Sequence, residues 1–311
     1  MMTNERIRFI LPINLTIAIL SVSTASIFIR FAQTNTPSLV IAALRLTFAT
    51  LLITPFALMR HRAELSTLTL KELTLGAGSG LFLAAHFAAW ISSLEYTSVA
   101  SSVVFVSTGP LWVALLSPVL LNEKLTRTVI IGLGLALFGG TVIGLSDACV
   151  LQNGLKCPQL SQVLQAAQGS AMWGNFLALA GAWAITGYLI IGRKLRAKMS
   201  LIPYIFLVYG IAAVVLVVLM FTAGQSPTGY PLKSYGWIFL LAAIPQLVGH
   251  SMFNWLLKYL SATMVAVTTL SEPIGSAVLA FIFLKESPAS AVMLGGAFIL
   301  IGIYLTSKQR N

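Results

Sequence analysis

Charge is what this chain has least of. Only 9% of its 311 residues are Asp, Glu, Lys or Arg, while 58% are hydrophobic. That is too little polar surface to coat a water-soluble globule of this size, so the expected solvent is a bilayer. Acidic residues are scarcer still, eight against nineteen basic ones, for a net charge of +11. Cysteine occurs twice, as Cys149 and Cys157. Two thiols exclude a disulfide-rich scaffold and leave no third or fourth ligand for a metal centre, although one bridge is permitted if that face of the membrane is oxidising. There is no GxxxxGK[ST] phosphate loop and no HExxH motif, so neither ATP hydrolysis nor zinc-hydrolase chemistry is expected. Ser79 and His86 resemble a nucleophile and its base, but on one helix they stand two turns apart, about 10 Å, too far to share a hydrogen bond. The expectation is a chain that is not an enzyme and needs no cofactor.

What is abundant is long apolar sequence. Ten runs of roughly 20 residues, each able to cross about 30 Å of hydrocarbon as a helix, lie near 10–30, 38–59, 73–94, 99–121, 127–147, 173–193, 203–223, 235–257, 263–284 and 289–307. They are continuous and lack the alternation of membrane β-strands, so an all-α membrane protein is predicted. The first run follows Arg6 and Arg8 like a secretory signal, yet it carries Ser21, Ser23, Thr24 and Ser26, lacks a clear cleavage site and has a copy further on. It is therefore taken as a retained helix.

The chain also repeats. Tyr96, Ser98, Pro110, Glu123, Gly132 and Gly139 recur as Tyr259, Ser261, Pro273, Glu286, Gly295 and Gly302, 163 residues later. Five spans used twice put the second copy into the membrane from the opposite side, an inverted repeat around a central site. The expected units are 8–148 and 173–308, joined by an extracytoplasmic loop over 149–172 whose 160–168 stretch suits a short interfacial helix.

The basic residues follow this topology. Fourteen lie in loops on one side of the ten-span arrangement, among them Arg60, Arg62, Lys124, Arg193 and Arg196, and four on the other, Arg30, Lys156, Lys233 and Lys285. The bias places both termini in the cytoplasm. The positive charge thus reports orientation, and nucleic acid is not an expected partner.

Few polar residues lie within the spans, and these are the candidate site. Glu272 lies about 13 Å from the start of the ninth span and Arg45 about 10 Å into the second. Such groups are costly in hydrocarbon and face a cavity or each other. Three readings stay open: a buried Arg45–Glu272 pair that orders the bundle, a Glu272 that takes up protons or meets a substrate ammonium while Arg45 meets a carboxylate, or local capping of freed backbone. His86 and Trp90 share a face of the third helix, as His250 and Asn254 do on the eighth, and all four are candidates for lining the cavity. Trp112 and Trp183 lie deep enough to stack on a substrate. Pro110 and Pro273 interrupt the fourth and ninth spans. Glu123 and Glu286, just past those spans, are expected to cap helix starts. Gly139, Gly140 and Gly144, with Gly295 and Gly302, suit close helix packing between the halves, with a homodimer contact as the alternative.

The run YTSVASSVVFVSTGPLWVALLSPVLLNEKLTRTVIIGLGLALFGG and its copy YLSATMVAVTTLSEPIGSAVLAFIFLKESPASAVMLGGAFILIGIYL resemble the EamA-domain proteins of the drug/metabolite transporter superfamily. So do IAALRLTFA around Arg45 and LALAGAWAITGYLIIGRKL of the sixth span. Where many members carry a tryptophan in the first span, this chain has Ser21. The resemblance implies two five-helix units in a bacterial inner membrane and a secondary-active transporter that moves small metabolites, often by export of amino acids or related compounds. A passive channel or a membrane sensor is the alternative, and an intramembrane enzyme a more distant one.

Overall fold

The computed structural model describes residues 4–120, 127–148, 150–151, 155–156, 171–260, 262–269 and 272–307. Glu123, Cys149, Cys157 and the 160–168 stretch lie outside these residues. The described chain is helical apart from one antiparallel pair of two-residue strands, β1 (Val150–Leu151) and β2 (Leu155–Lys156). In chain order the helices are α1 (Asn4–Ser23), α2 (Ala25–Gln33), α3 (Ser38–Arg60), α4 (Arg62–Ser66), α5 (Leu70–Tyr96), α6 (Val99–Val106), α7 (Gly109–Leu120) and α8 (Arg127–Ala148). They continue with α9 (Ala171–Arg196), α10 (Leu201–Thr222), α11 (Leu232–Leu241), a π-helical segment (Ala242–His250), α12 (Ser251–Leu256), α13 (Ala262–Thr268), α14 (Glu272–Leu284) and α15 (Ser290–Ser307). Among the described residues seven helical stretches are long and apolar enough to cross a membrane, and Glu272–Leu284 and Ser290–Gly302 are shorter apolar helices.

Local chemistry explains where the helices begin and how they tolerate an apolar solvent. Thr69 and Glu72 form a capping box: the Thr69 hydroxyl accepts from the Glu72 amide at 3.3 Å, and the Glu72 carboxylate accepts from the Thr69 amide at 2.9 Å. Ser98 Oγ accepts from the Ser101 amide at 3.1 Å to start α6. Inside α3, the hydroxyls of Thr47, Thr50 and Thr54 each donate to the carbonyl four residues earlier, at 2.7 to 2.8 Å. That disposes of three donors which hydrocarbon would leave unsatisfied.

The prolines stand differently from the expectation of kinks within continuous helices. Pro110 and Pro273 are each the second residue of a new helix, α7 and α14. There the missing N–H is one of the donors a first turn leaves free anyway. The fourth span is thus broken at Ser107 and Thr108, and α13 stops at Thr268, before Glu272 opens α14.

Helix contacts follow a pattern that survives exchange of the two halves. α3 packs on α10, and α8 on α15. α5 packs on α9, while in the other half the π-helical segment packs on α1 and α11 on α2. α9 touches α6 and α7, as α1 and α2 touch α14. The α8–α15 approach uses a glycine: a Cβ on Gly139 would overlap the Gly295 carbonyl oxygen.

Two side chains, Gln33 half-buried and Arg196 buried, take carbonyls at equal places in the two halves. Gln33 Nε2 donates to the Ile91 carbonyl at 2.8 Å, and Arg196 Nε donates to the Asn254 carbonyl at 2.9 Å. Donor and acceptor are each displaced by the same 163 residues. Arg196 read from sequence as a cytoplasmic loop charge, yet it is 2% exposed.

Candidate functional site

A cavity of about 660 Å³, mouth included, opens where the broken spans meet α5, α9 and the π-helical segment. Four pairs of its lining residues are related by the 163-residue shift: Val22 and Ile185, Trp90 and Phe253, Val106 and Thr269, Gly109 and Glu272. The lining also includes His86, His250, Ser107 and Tyr188. Of the eight candidates from sequence, the structure thus brings His86, Trp90, His250 and Glu272 to one cavity.

Each of these four has a defined setting. His86 is 5% exposed, and its Nδ1 lies 2.9 Å from the Gly181 carbonyl oxygen. A carbonyl only accepts, so Nδ1 carries the proton in this bond. The ring stacks on Trp90 at 5.8 Å and 18°. Trp90 is 2% exposed, and its indole Nε1–H has no partner among the described residues. A Cβ on Gly181 would lie 3.3 Å from Trp90 Cβ, so the glycine lets α9 approach this close to the indole. His250 meets the Phe87 ring edge to face at 5.4 Å. Glu272 is half-buried at the first turn of α14, where a carboxylate complements the free N–H groups.

Arg45 and Asn254 lie behind this wall. Arg45 is fully buried, with its guanidinium carbon 3.9 Å from the Phe87 ring centroid and its Nε donating to Gln246 Oε1 at 3.0 Å. Its two terminal nitrogens and Gln246 Nε2 have no partner among the described residues. The structure does not form the Arg45–Glu272 pair that was one of the three readings: among the described residues the carboxylates within 4 Å of a basic side chain are Glu286, on Arg30, and Glu64, on His61. Phe87 and Gln246 occupy the sides of the guanidinium instead. Asn254, also fully buried, accepts from Tyr188 Oη at 2.7 Å and donates to Tyr209 Oη at 3.2 Å. Tyr209 in turn shares a hydrogen bond with Ser251 at 3.2 Å. Tyr188 also lines the cavity, so this chain of hydrogen bonds holds one wall from behind.

Trp112 and Trp183 are not among the lining residues. Their rings meet edge to face at 5.5 Å, Trp112 Nε1 donates to Thr108 Oγ1 at 3.2 Å, and Trp183 is 44% exposed. The helix period explains it: Trp183 is two residues before Ile185, about 200° round α9 from a residue that faces the cavity. Sequence reasoning also passed over Gln246, Tyr188 and Tyr209. Gln246 carried a signal, as a lone amide in the apolar run LAAIPQLVGH beside a proline. The tyrosines carried none, because their hydroxyl partners come from other helices.

Glu286 does cap a helix, but not the one that follows it. Its Oε2 accepts from the Val99 amide at 3.0 Å, the first residue of α6 in the other half, and its Oε1 accepts from Arg30 at 3.0 Å.

A bundle of apolar helices with a largely apolar cavity, carrying a few polar groups, between two broken spans is an arrangement that suits a membrane transporter. The sequence pattern of the EamA-like transporter family matches residues 12–145 and again 172–308, and the chain belongs to that family. Similar chains include two uncharacterized transporters of Archaeoglobus fulgidus. One is 21% identical over 286 residues, 92% of each chain, and the other 20% identical over 220 residues, 70% of each. A solved crystal structure, described only as that of a protein, superposes with a TM-score of 0.66 at 18% identity over 94% of each chain, a likeness of fold alone.

Proposed function

We propose that this transporter is a secondary-active carrier of small metabolites, amino acids or related compounds, working as an exporter by alternating access. In this reading the chain has ten spans in two inverted five-helix units, 8–148 and 173–308. Both termini lie in the cytoplasm of a bacterial inner membrane. The observation that carries it is the cavity lining, where four positions of one half are matched by the positions 163 residues on in the other. A site shared between repeats can be uncovered to either side by rocking one unit against the other. The exchange pattern of the helix contacts supports the same view. Trp90, His86, His250 and Glu272 are the substrate-contacting groups, and Glu272 is also the proton carrier, as the one carboxylate among the lining residues. Arg45 sets the charge of the wall from behind and attracts a carboxylate.

Counterflow in proteoliposomes tests this. Labelled amino acids and related metabolites are offered outside vesicles preloaded with the unlabelled compound. A carrier gives saturable uptake stimulated by the internal substrate. Flux linear in concentration and indifferent to the internal compound means a channel. For the orientation, a cysteine at Ser200 should be protected from an impermeant thiol reagent in intact cells and one at Gln225 should react, in a background lacking Cys149 and Cys157. The reverse labelling pattern would overturn the assigned sidedness.

A further inference from the structure

The geometry points to Glu286, Arg30 and the amino end of α6 as a latch that closes one mouth of the cavity by holding the two halves together. The inference rests on the alternating-access reading. Lys285 has φ 59, the positive-φ position of a non-glycine residue among the described residues, and the Glu286 amide returns to the Ala280 carbonyl at 3.3 Å. This left-handed residue ends α14 and turns the chain so that Glu286 leaves the helix toward the other half. There its carboxylate meets the Val99 amide and Arg30, each at 3.0 Å, and the same Arg30 nitrogen donates to the Thr97 carbonyl at 3.1 Å. Three elements of the first half, α2, the turn at Thr97 and α6, thus converge on one carboxylate of the second. The two side chains are only 26% and 30% exposed, so the pair is less screened than a surface ion pair.

Position gives the latch its leverage. α6 carries Val99 in the latch at its first residue and Val106 in the cavity lining at its last. α14 carries Glu272 in the cavity lining at its first residue, and Glu286 lies just past its last. Both helices therefore run from latch to cavity, over about 12 Å and about 20 Å. Breaking the latch lets these two rods part at that end and uncovers the cavity on that side. By the charge bias Arg30 lies on the extracytoplasmic face, so the latch closes the outward path. A carboxylate that only strengthened the fold would lower stability when removed but would not change access on one side alone.

The test places a cysteine at Ser107, in the cavity lining, in the full chain without Cys149 and Cys157. Its reaction with a charged, impermeant thiol reagent is timed from outside intact cells and from the cytoplasmic side in inside-out vesicles. Glu286→Gln should speed labelling from the outside about tenfold and slow it from the cytoplasmic side, the population shift expected when a charge-assisted contact is lost from one state. Arg30→Gln should act in the same direction, which keeps the test decisive if one variant fails to fold. A cysteine at Ser226, on an exposed loop, should react at one rate throughout. Unchanged Ser107 labelling in a folded variant, or equal acceleration from both sides, would overturn the latch. If counterflow is intact in the unmutated protein, that result leaves the carrier standing. Absent counterflow with one-sided acceleration would instead keep the latch and remove the carrier.

Discussion

At equal places in its two halves this protein keeps the backbone contacts and changes the chemistry. Among the lining residues, Trp90 corresponds to Phe253, Gly109 to Glu272, and Val106 to Thr269, each 163 positions on. Behind the wall, Arg45 of α3 has Val208 of α10 at the corresponding position, and Phe87 has His250, the residue it touches. The scaffold behaves otherwise: Gln33 and Arg196 take equivalent carbonyls, and α8 and α15 pack on each other. Structural duties are duplicated while the polar groups of the cavity are single-copy. Under the proposed function this has a geometric sense: one asymmetric ligand between two related walls would meet each wall once and gain nothing from finding the same group twice.

The largest effect should come from making the two walls alike. Glu272→Gln is expected to lower uptake driven by a pH gradient by about a hundredfold, the scale of losing an essential proton-transfer group. Counterflow should persist, because it needs no net proton movement. Gradient-driven uptake that survives in a folded variant would remove Glu272 from coupling. Moving the carboxylate across, as Gly109→Glu with Glu272→Gly, should not restore it, since a Cβ at Gly109 already lies 3.2 Å from Ile185 Cγ2.

Gln246 sharpens the Arg45 side of the comparison. Gln246→Leu takes away the acceptor of a fully buried guanidinium and should cost about 1–3 kcal/mol of stability, read as a lower unfolding temperature in detergent. An unchanged temperature would mean that Arg45 finds another partner.

The packing halves can be compared through their glycines. Gly139→Ala must push a methyl group into the Gly295 carbonyl of α15 and should destabilise by about 1–3 kcal/mol. Gly134→Ala, five residues earlier on α8 with nothing within 4 Å of its Cβ position, should stay within about 0.5 kcal/mol. Equal effects would contradict the placement of α15 against α8.

Trp183→Phe should do least. With Trp183 44% exposed and outside the cavity lining, counterflow should keep its half-saturation and stability should move by no more than about 0.5 kcal/mol. A clear rise in half-saturation would return Trp183 to the substrate path.

Much of the fold was legible because membrane solvation is a one-dimensional signal. Each run of about 20 apolar residues announces a helix without reference to any neighbour. Within the candidate site, His86, Trp90, His250 and Glu272 were legible for a related reason: polar and aromatic groups at membrane depth are few and stand out. Arg45 stood out equally, but its partner did not, because Gln246 is an amide with no charge to advertise it. Trp112 and Trp183 misled because depth along a helix says nothing about the face on which a side chain emerges. Glu286 was recognised as a cap, but its helix was misassigned, since the acceptor and the amide it satisfies are 187 residues apart in sequence.

Composition, hydrophobic period and the 163-residue echo determine by themselves that this is a helical membrane protein built from two related units, because they depend only on the order of residues along the chain. The tertiary structure decided which side chains meet: Arg45 on Phe87 and Gln246 and not on Glu272, Glu286 on the far half, Tyr188 and Asn254 behind the cavity wall. Those contacts depend on how each helix is rotated and where its neighbour crosses it, and a helix of apolar residues on every side leaves that rotation to packing.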